Sequence, residues 1–296
     1  MRLSLIHTTP RIWAHRGGRS LAPENTLLAL QKGHEAGADG WETDVVLTKD
    51  GVPVLLHDLN LLRTTNAASH PFITTNQPAL PWRFTLEELK KLTAGTFPRR
   101  RCGVPCDMPP CDTLECATVT PVPYGNHLEP IPTLAEALAL SKELGRWVNI
   151  EIKDVSQAMP AHLSATIVTK TLEAVAAANM EDQVLISSFN HTYVAESKQH
   201  APHIPTAILT PRTFSENPAE AAQRVNADAW HPNVRTLTKK AVLQARAAGL
   251  AVNPYTVNDF DRMKELVRWG VTGLVTDVPQ NVQHYDWAAE LSTREL

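Results

Sequence analysis

The chain has 296 residues, an apolar fraction of 43% and a formal net charge of -3. This length permits two small domains or one large barrel with an insertion, and the apolar content is enough to bury a sizeable core. The weak negative charge argues against nucleic acid as the main partner, and no apolar run approaches the roughly 18 residues that stable membrane insertion needs.

Strand-like runs fall at residues 12–15, 41–46, 147–151, 184–188, 206–209, 229–232, 252–256 and 274–276. The first begins too early to leave room for a signal peptide, so a cytoplasmic location is expected. Helical stretches follow most of the runs. Residues 24–36 open with carboxylate and amide groups suited to a helix N-terminus, and 134–144, 161–178, 239–248 and 260–269 carry apolar residues at helical spacing. Gly249 and Gly270 stand where C-cap glycines belong. Eight strands with intervening helices predict an α/β fold, a closed (β/α)₈ TIM barrel. An open doubly wound sheet would be expected to show a glycine-rich turn such as GxGxxG, which is absent from this chain.

One further run, 52–57, follows its predecessor after Thr48-Lys49-Asp50-Gly51. Asp-Gly there signals a hairpin, so this run is expected to return antiparallel and not to count as a barrel strand. Residues 59–132 differ in character. They hold half of the 22 prolines and all four cysteines, and only 85–92 looks helical. The expectation is a single catalytic barrel over 1–296 with an irregular insertion, 59–132, capping its mouth.

In such a barrel, chemistry gathers at the C-terminal strand ends. There the chain places His15-Arg16, Glu42 and Asp44, His57-Asp58, Glu151 and Lys153, Tyr255 and Asn258, and Asp277. Glu42 and Asp44 are two residues apart on a strand and share a face. With Glu151 they form a carboxylate group suited to a hard cation, Mg²⁺ or Ca²⁺, with Mn²⁺ also possible. The alternative is a salt-bridge ring with Arg16 and Lys153. His15 and His57 titrate in the range required to move protons at a phosphodiester, and Arg16 and Lys153 suit an anion.

In this order the residues resemble the glycerophosphodiester phosphodiesterase family. The matching stretches are His15-Arg16-Gly17, Pro23-Glu24-Asn25-Thr26, Gly40-Trp41-Glu42-Thr43-Asp44-Val45 and Pro53-Val54-Leu55-Leu56-His57-Asp58. Arg63-Thr64-Thr65-Asn66, Glu151-Ile152-Lys153, Tyr255-Thr256-Val257-Asn258 and Thr276-Asp277 continue the series. The resemblance implies a TIM barrel that hydrolyses small-molecule glycerophosphodiesters, such as glycerophosphocholine or glycerophosphoethanolamine, to glycerol 3-phosphate and an alcohol. It implies His15 and His57 as the acid–base pair, Glu42, Asp44 and Glu151 as ligands of a divalent cation, and Arg16 and Lys153 as phosphate contacts. Asn25 is expected to support the metal, and Glu24 to orient His15 or Arg16. The expected route uses the glycerol 2-hydroxyl as nucleophile, with direct attack by water as the rival; which histidine is the base stays open.

Two features depart from the family pattern. Tyr255 stands where the family often has tryptophan, which keeps an aromatic face for glycerol. Cys102, Cys106, Cys111 and Cys116 have a spacing unlike a standard zinc site, so loop thiols, free or disulfide-forming, are expected in preference to a metal knot. The rival functions are a lysophospholipase D or sphingomyelinase D-like activity on lipids, which requires an apolar groove, and a non-catalytic phosphate-ester binding barrel. Phe72, Leu80, Trp82 and Phe84 are expected to pack a small core and not to line such a groove.

Overall fold

The computed structural model describes residues 9–73, 78–95 and 128–292. Its main sheet contains eight parallel strands. They are β1 (Arg11–Ala14), β2 (Gly40–Leu47), β6 (Trp147–Ile152), β7 (Val184–Ser188), β8 (Thr206–Thr210), β9 (Ala229–Pro232), β10 (Ala251–Val252) and β11 (Gly273–Thr276). They pair in the order β10-β9-β8-β7-β6-β2-β1-β11. Backbone bonds bridge the remaining seam: Thr272 N donates to Val252 O at 2.8 Å, Val275 N to Pro254 O at 3.1 Å and Val257 N to Val275 O at 2.8 Å. The predicted α/β barrel is what the chain forms. β3 (Pro53–Leu55) lies antiparallel on β2, with Val45 opposite Leu55, as the Asp-Gly turn predicts.

Side chains of β1 and β7–β11 fill the barrel interior, where Trp13, Leu185, Ala207, Ala229, Ala251 and Val275 pack together. Outside, the helices pack their apolar stripes on the strands, and local chemistry sets where they begin. The Thr26 hydroxyl accepts from Ala29 N and starts α1 (Leu27–Glu35), and a Thr133–Glu136 capping box starts α3 (Leu134–Glu143). The predicted helix at 24–36 therefore begins later, because Asn25 adopts a left-handed φ of 56°. The predicted helix at 161–178 is divided into α4 (Ala161–Ser164) and α5 (Ile167–Ala178). Thr166 closes a tight turn between them, its N and Oγ1 both donating to Leu163 O at 2.9 Å. The strand expected at 252–256 is shorter, since Pro254 has no N–H for the ladder. Helices α6 (His191–His200), α7 (Pro218–Arg224) and α10 (Trp287–Ser292) were not anticipated; α6 and α7 start on Asn190 and Asn217 caps.

The described part of the insertion packs on the β2–β3 hairpin. Lys49 N donates to Phe84 O at 2.8 Å, and Leu86 N donates to Asp50 Oδ1 at 3.0 Å, holding the short α2 (Leu86–Leu89). Trp82 and Phe84 are buried in one cluster with Val45, Val46 and Val54, and Phe72 and Leu80 pack against it. The insertion closes through β4 (Thr93–Ala94) paired with β5 (Glu129–Pro130). The four cysteines lie outside the described residues.

Candidate active site

Glu42 and Asp44 alternate on β2, and Glu151 stands opposite Asp44 in the parallel register with β6. Ligand atoms of the three carboxylates all lie within 4.8 Å of one another, and all three residues are buried. Lys153 Nζ donates to Glu151 at 2.7 Å and to Asp44 at 3.2 Å, which binds the β6 end to β2. The two sequence readings therefore overlap: the cluster that suits a metal also carries a salt bridge.

The turn after β1 is shaped around this cluster. Arg16 and Gly17 have left-handed φ values of 50° and 84°, which point the Arg16 N–H at Glu42 Oε2, 3.0 Å away. The Arg16 guanidinium is buried, donating to Glu24 Oε1 at 3.0 Å with its Nε 3.6 Å from Asp44. Glu24 therefore orients Arg16 and not His15. Asn25 Nδ2 donates to Asp44 Oδ2 at 2.8 Å, while its Oδ1 accepts from Thr43 Oγ1 at 2.7 Å, so Asn25 fixes the Asp44 carboxylate.

Each candidate histidine has a carboxylate on its Nδ1. Asp277 Oδ1 lies 2.6 Å from His15 Nδ1, and Asp58 Oδ1 lies 2.8 Å from His57 Nδ1. His15 Nε2 is turned toward Glu42, 3.8 Å away. Arg63 grips Asp58 with Nε at 2.5 Å and Nη2 at 2.9 Å, and reaches Glu24 with Nη2 at 2.6 Å. This links the His57 side of the site to the Arg16 side. Tyr255 lines a cleft with His15, Glu42, Asn149, Glu151 and His231. Its hydroxyl donates to Thr210 O at 2.9 Å, and its ring meets Phe189 edge-on at 5.8 Å.

Burial and charge divide the carboxylates. Burial and the neighbouring Asp44 and Glu151 charges push the Glu42 carboxyl well above its usual range. Burial acts the same way on Asp44, but Lys153, His57 and Arg16 outweigh it and hold that carboxyl far below. Glu24 is held at about 2, burial being overcome by Arg16, Arg63 and Arg19. Asp277 and Asp58 are likewise depressed, against burial, by their histidine partners and nearby arginines. Burial lowers His15, opposed by Asp277.

These features fit a divalent cation. Among the described residues, six carboxylates (Glu24, Glu42, Asp44, Asp58, Glu151, Asp277) face four cationic heads (Arg16, Arg19, Arg63, Lys153) in this network. The buried Glu42 Oε1 has no hydrogen-bond partner among the described residues. A hard cation would meet the unspent charge, satisfy that oxygen and relieve the repulsion that raises Glu42.

Asp58, Arg63, Asn258 and Asp277 all lie in the sequence motifs, but their partners emerge only from the fold. Asn258 Nδ2 donates to Asp277 Oδ2 at 2.7 Å, so it orients the partner of His15. Arg19 and His231 carried no sequence signal at all.

The glycerophosphoryl diester phosphodiesterase family model matches residues 15–281. A glycerophosphodiester phosphodiesterase of Caldanaerobacter subterraneus is 34% identical over 270 residues, covering 91% of this chain and 94% of that protein. One from Bacillus altitudinis is 32% identical over 272 residues, covering 91% and 95%. The structure of an Oleispira antarctica phosphodiesterase, in complex with its product sn-glycerol-3-phosphate, superposes with a TM-score of 0.73 at 26% identity, covering 96% of this chain and 98% of that one. With its fold, its strand-end residues and these likenesses in agreement, the chain belongs to the glycerophosphoryl diester phosphodiesterase family of enzymes.

Proposed function

We propose that this enzyme hydrolyses glycerophosphodiesters such as glycerophosphocholine or glycerophosphoethanolamine to glycerol 3-phosphate and an alcohol, with a divalent cation and with His15 and His57 as the acid–base pair. The observation that carries the reading is the meeting of three buried carboxylates with a histidine held by Asp277, beside a second histidine held by Asp58. Glu42, Asp44 and Glu151 would hold Mg²⁺ or Ca²⁺, with Mn²⁺ as a further option, and the bound ion supplies Lewis-acid charge against the phosphoryl oxygens.

The chain's own residues do the rest. Lys153, between Asp44 and Glu151, and Arg16, behind Asp44, set fixed positive charge where the phosphate enters. One histidine takes the proton of the glycerol 2-hydroxyl as its oxygen bonds to phosphorus. The bond from phosphorus to the alcohol oxygen breaks, and the other histidine protonates that oxygen. Water then opens the cyclic phosphate with the histidine roles exchanged. Asp277 and Asp58 hold each ring by Nδ1 and leave Nε2 for the substrate. Tyr255 offers its ring face to glycerol.

We read the chain as one catalytic barrel with the 59–132 insertion at its mouth. In support, Thr64, Ala94, Ile131 and Pro132 line a cleft together with His57, Glu24 and Asn25. No helix among the described residues is long and apolar enough to cross a membrane. The lipid reading gains no observation, since Trp82 and Phe84 are buried. The test is a panel of glycerophosphodiesters assayed with Mg²⁺, Ca²⁺, Mn²⁺ and chelator, with products identified. Glycerol 3-phosphate and the free alcohol are expected, and full turnover in chelator or after His15→Ala and His57→Ala would refute the scheme. Turnover of a diester lacking the 2-hydroxyl would refute the cyclic route.

A further inference from the structure

His231 faces the cleft that holds His15, Glu42, Glu151 and Tyr255, yet the scheme above gives it nothing to do. It is the penultimate residue of β9, is 1% exposed, and among the described residues its buried Nδ1 has no hydrogen-bond partner. Its other nitrogen is committed. Asn253 Nδ2 donates to His231 Nε2 at 3.0 Å. The Asn253 amide is held by Thr272, whose Oγ1 accepts from Val252 N at 2.8 Å and shares its single proton between Asn253 Oδ1 at 2.9 Å and Val252 O at 3.1 Å. An Nε2 that accepts requires the proton on Nδ1 in the neutral ring. Burial holds the ring neutral, its pKa down at about 3. His231 therefore presents an Nδ1–H donor inside the barrel. Asn149 lines the same cleft, and among the described residues its buried Oδ1 is an acceptor without a partner.

A buried donor and a buried acceptor left open beside a reacting centre complement a hydroxyl group, which accepts from one and donates to the other. In a glycerophosphodiester the phosphate belongs to the carboxylate cluster and the 2-hydroxyl to a histidine, which leaves the terminal hydroxyl of glycerol. We propose that His231 and Asn149 form the subsite for that terminal hydroxyl, with His231 as a positioning and specificity residue whose tautomer Asn253 sets. This inference rests on the glycerophosphodiester reading of the site.

The experiment crosses a ligand deletion with residue substitutions. Inhibition constants are measured for sn-glycerol 3-phosphate and for 1,2-propanediol 1-phosphate, which lacks only the terminal hydroxyl. Calorimetric binding of both ligands serves any variant too slow to assay. The wild type is expected to favour the glycerol ligand by about tenfold, the worth of one well-made hydrogen bond. His231→Phe is expected to bind both alike, and His231→Asn, whose amide nitrogen replaces Nδ1, to recover part of the preference. Asn149→Leu, from the acceptor side, is expected to lose it as well, which keeps the test sound if His231→Phe fails to fold. A purely structural role would weaken both ligands equally and leave the ratio unchanged. A wild type that does not discriminate, or a His231→Phe variant that still does, overturns the proposal. Wild-type turnover of glycerophosphocholine to glycerol 3-phosphate is scored separately, so a failure of the substrate reading is distinguished from a failure of the subsite.

Discussion

Asp277 Oδ1 lies 2.6 Å from His15 Nδ1 across 262 residues of chain, because β11 pairs in parallel beside β1 in the barrel. Asn258 and Arg19 brace the carboxylate from either side, Asn258 donating at 2.7 Å and Arg19 Nε lying 3.7 Å away. In the proposed scheme this carboxylate sets which nitrogen of His15 faces the substrate. Asp277→Asn keeps the shape and removes the charge. It is expected to lower kcat for glycerophosphocholine by about 10²–10⁴-fold while changing KM little. Steady-state kinetics check this, and a variant with wild-type kcat would remove Asp277 from the mechanism.

Glu24 makes acid stability a property of the arginine cluster. Its folded value of about 2 lies below the ordinary 4.5, held down by Arg16, Arg63 and Arg19 against burial. A depressed carboxylate contributes stability that is fully present above its unfolded value. That contribution is lost as pH falls from near 4.5 toward 2. The contribution is about 3 kcal/mol at neutral pH. Urea unfolding from pH 7 to 2.5 should show the wild type losing it and Glu24→Gln, already weaker at pH 7, following a flatter acid limb. Parallel limbs would contradict the assignment.

Glu42 carries the opposite sign. Its raised value means that, without a cation, stability declines as pH rises from the unfolded value through the folded one. Glu42→Gln in chelator should then melt no lower than the wild type at pH 7. Added Mg²⁺ or Ca²⁺ should raise the wild-type Tm and leave the variant unmoved and inactive. Thermal melts with and without the ion decide it. An equal metal-induced shift in both proteins would exclude Glu42 as a ligand.

The turn bearing Arg16 depends on Gly33. A Cβ on Gly33 would strike Gly17 O and lie 3.1 Å from Ala14 Cβ, all within the packed β1–α1 layer. Gly33→Ala is expected to destabilise by about 2–4 kcal/mol and to reduce activity by displacing the His15–Gly17 turn. Gly249→Ala meets nothing within 4 Å and bears only the strain of its φ of 83°, about 1 kcal/mol, with activity intact. Urea unfolding and kcat on the two variants check the contrast, and equal effects would rule out the packing argument.

Much of the architecture was legible in the amino-acid order, because it rests on short-range periodicity. Alternation put Glu42 and Asp44 on one face of β2, Asp50-Gly51 turned the hairpin, and the helical spacing of apolar residues marked a helix at 134–144. Local rules failed where a neighbour intervened, as at Pro254 in the shortened β10 and at Thr166 between α4 and α5. The individual strand-end groups were also visible, but not their partners. Arg63 with Glu24, 39 residues apart, Lys153 with Asp44, 109 apart, and Asp277 with His15 meet only when the barrel closes in one register. The sequence alone determined which ionisable groups stand at the strand ends. The tertiary structure decided which of them meet, and so which carboxylate is raised and which are lowered, because burial and charge act across a few ångströms of space and not along the chain.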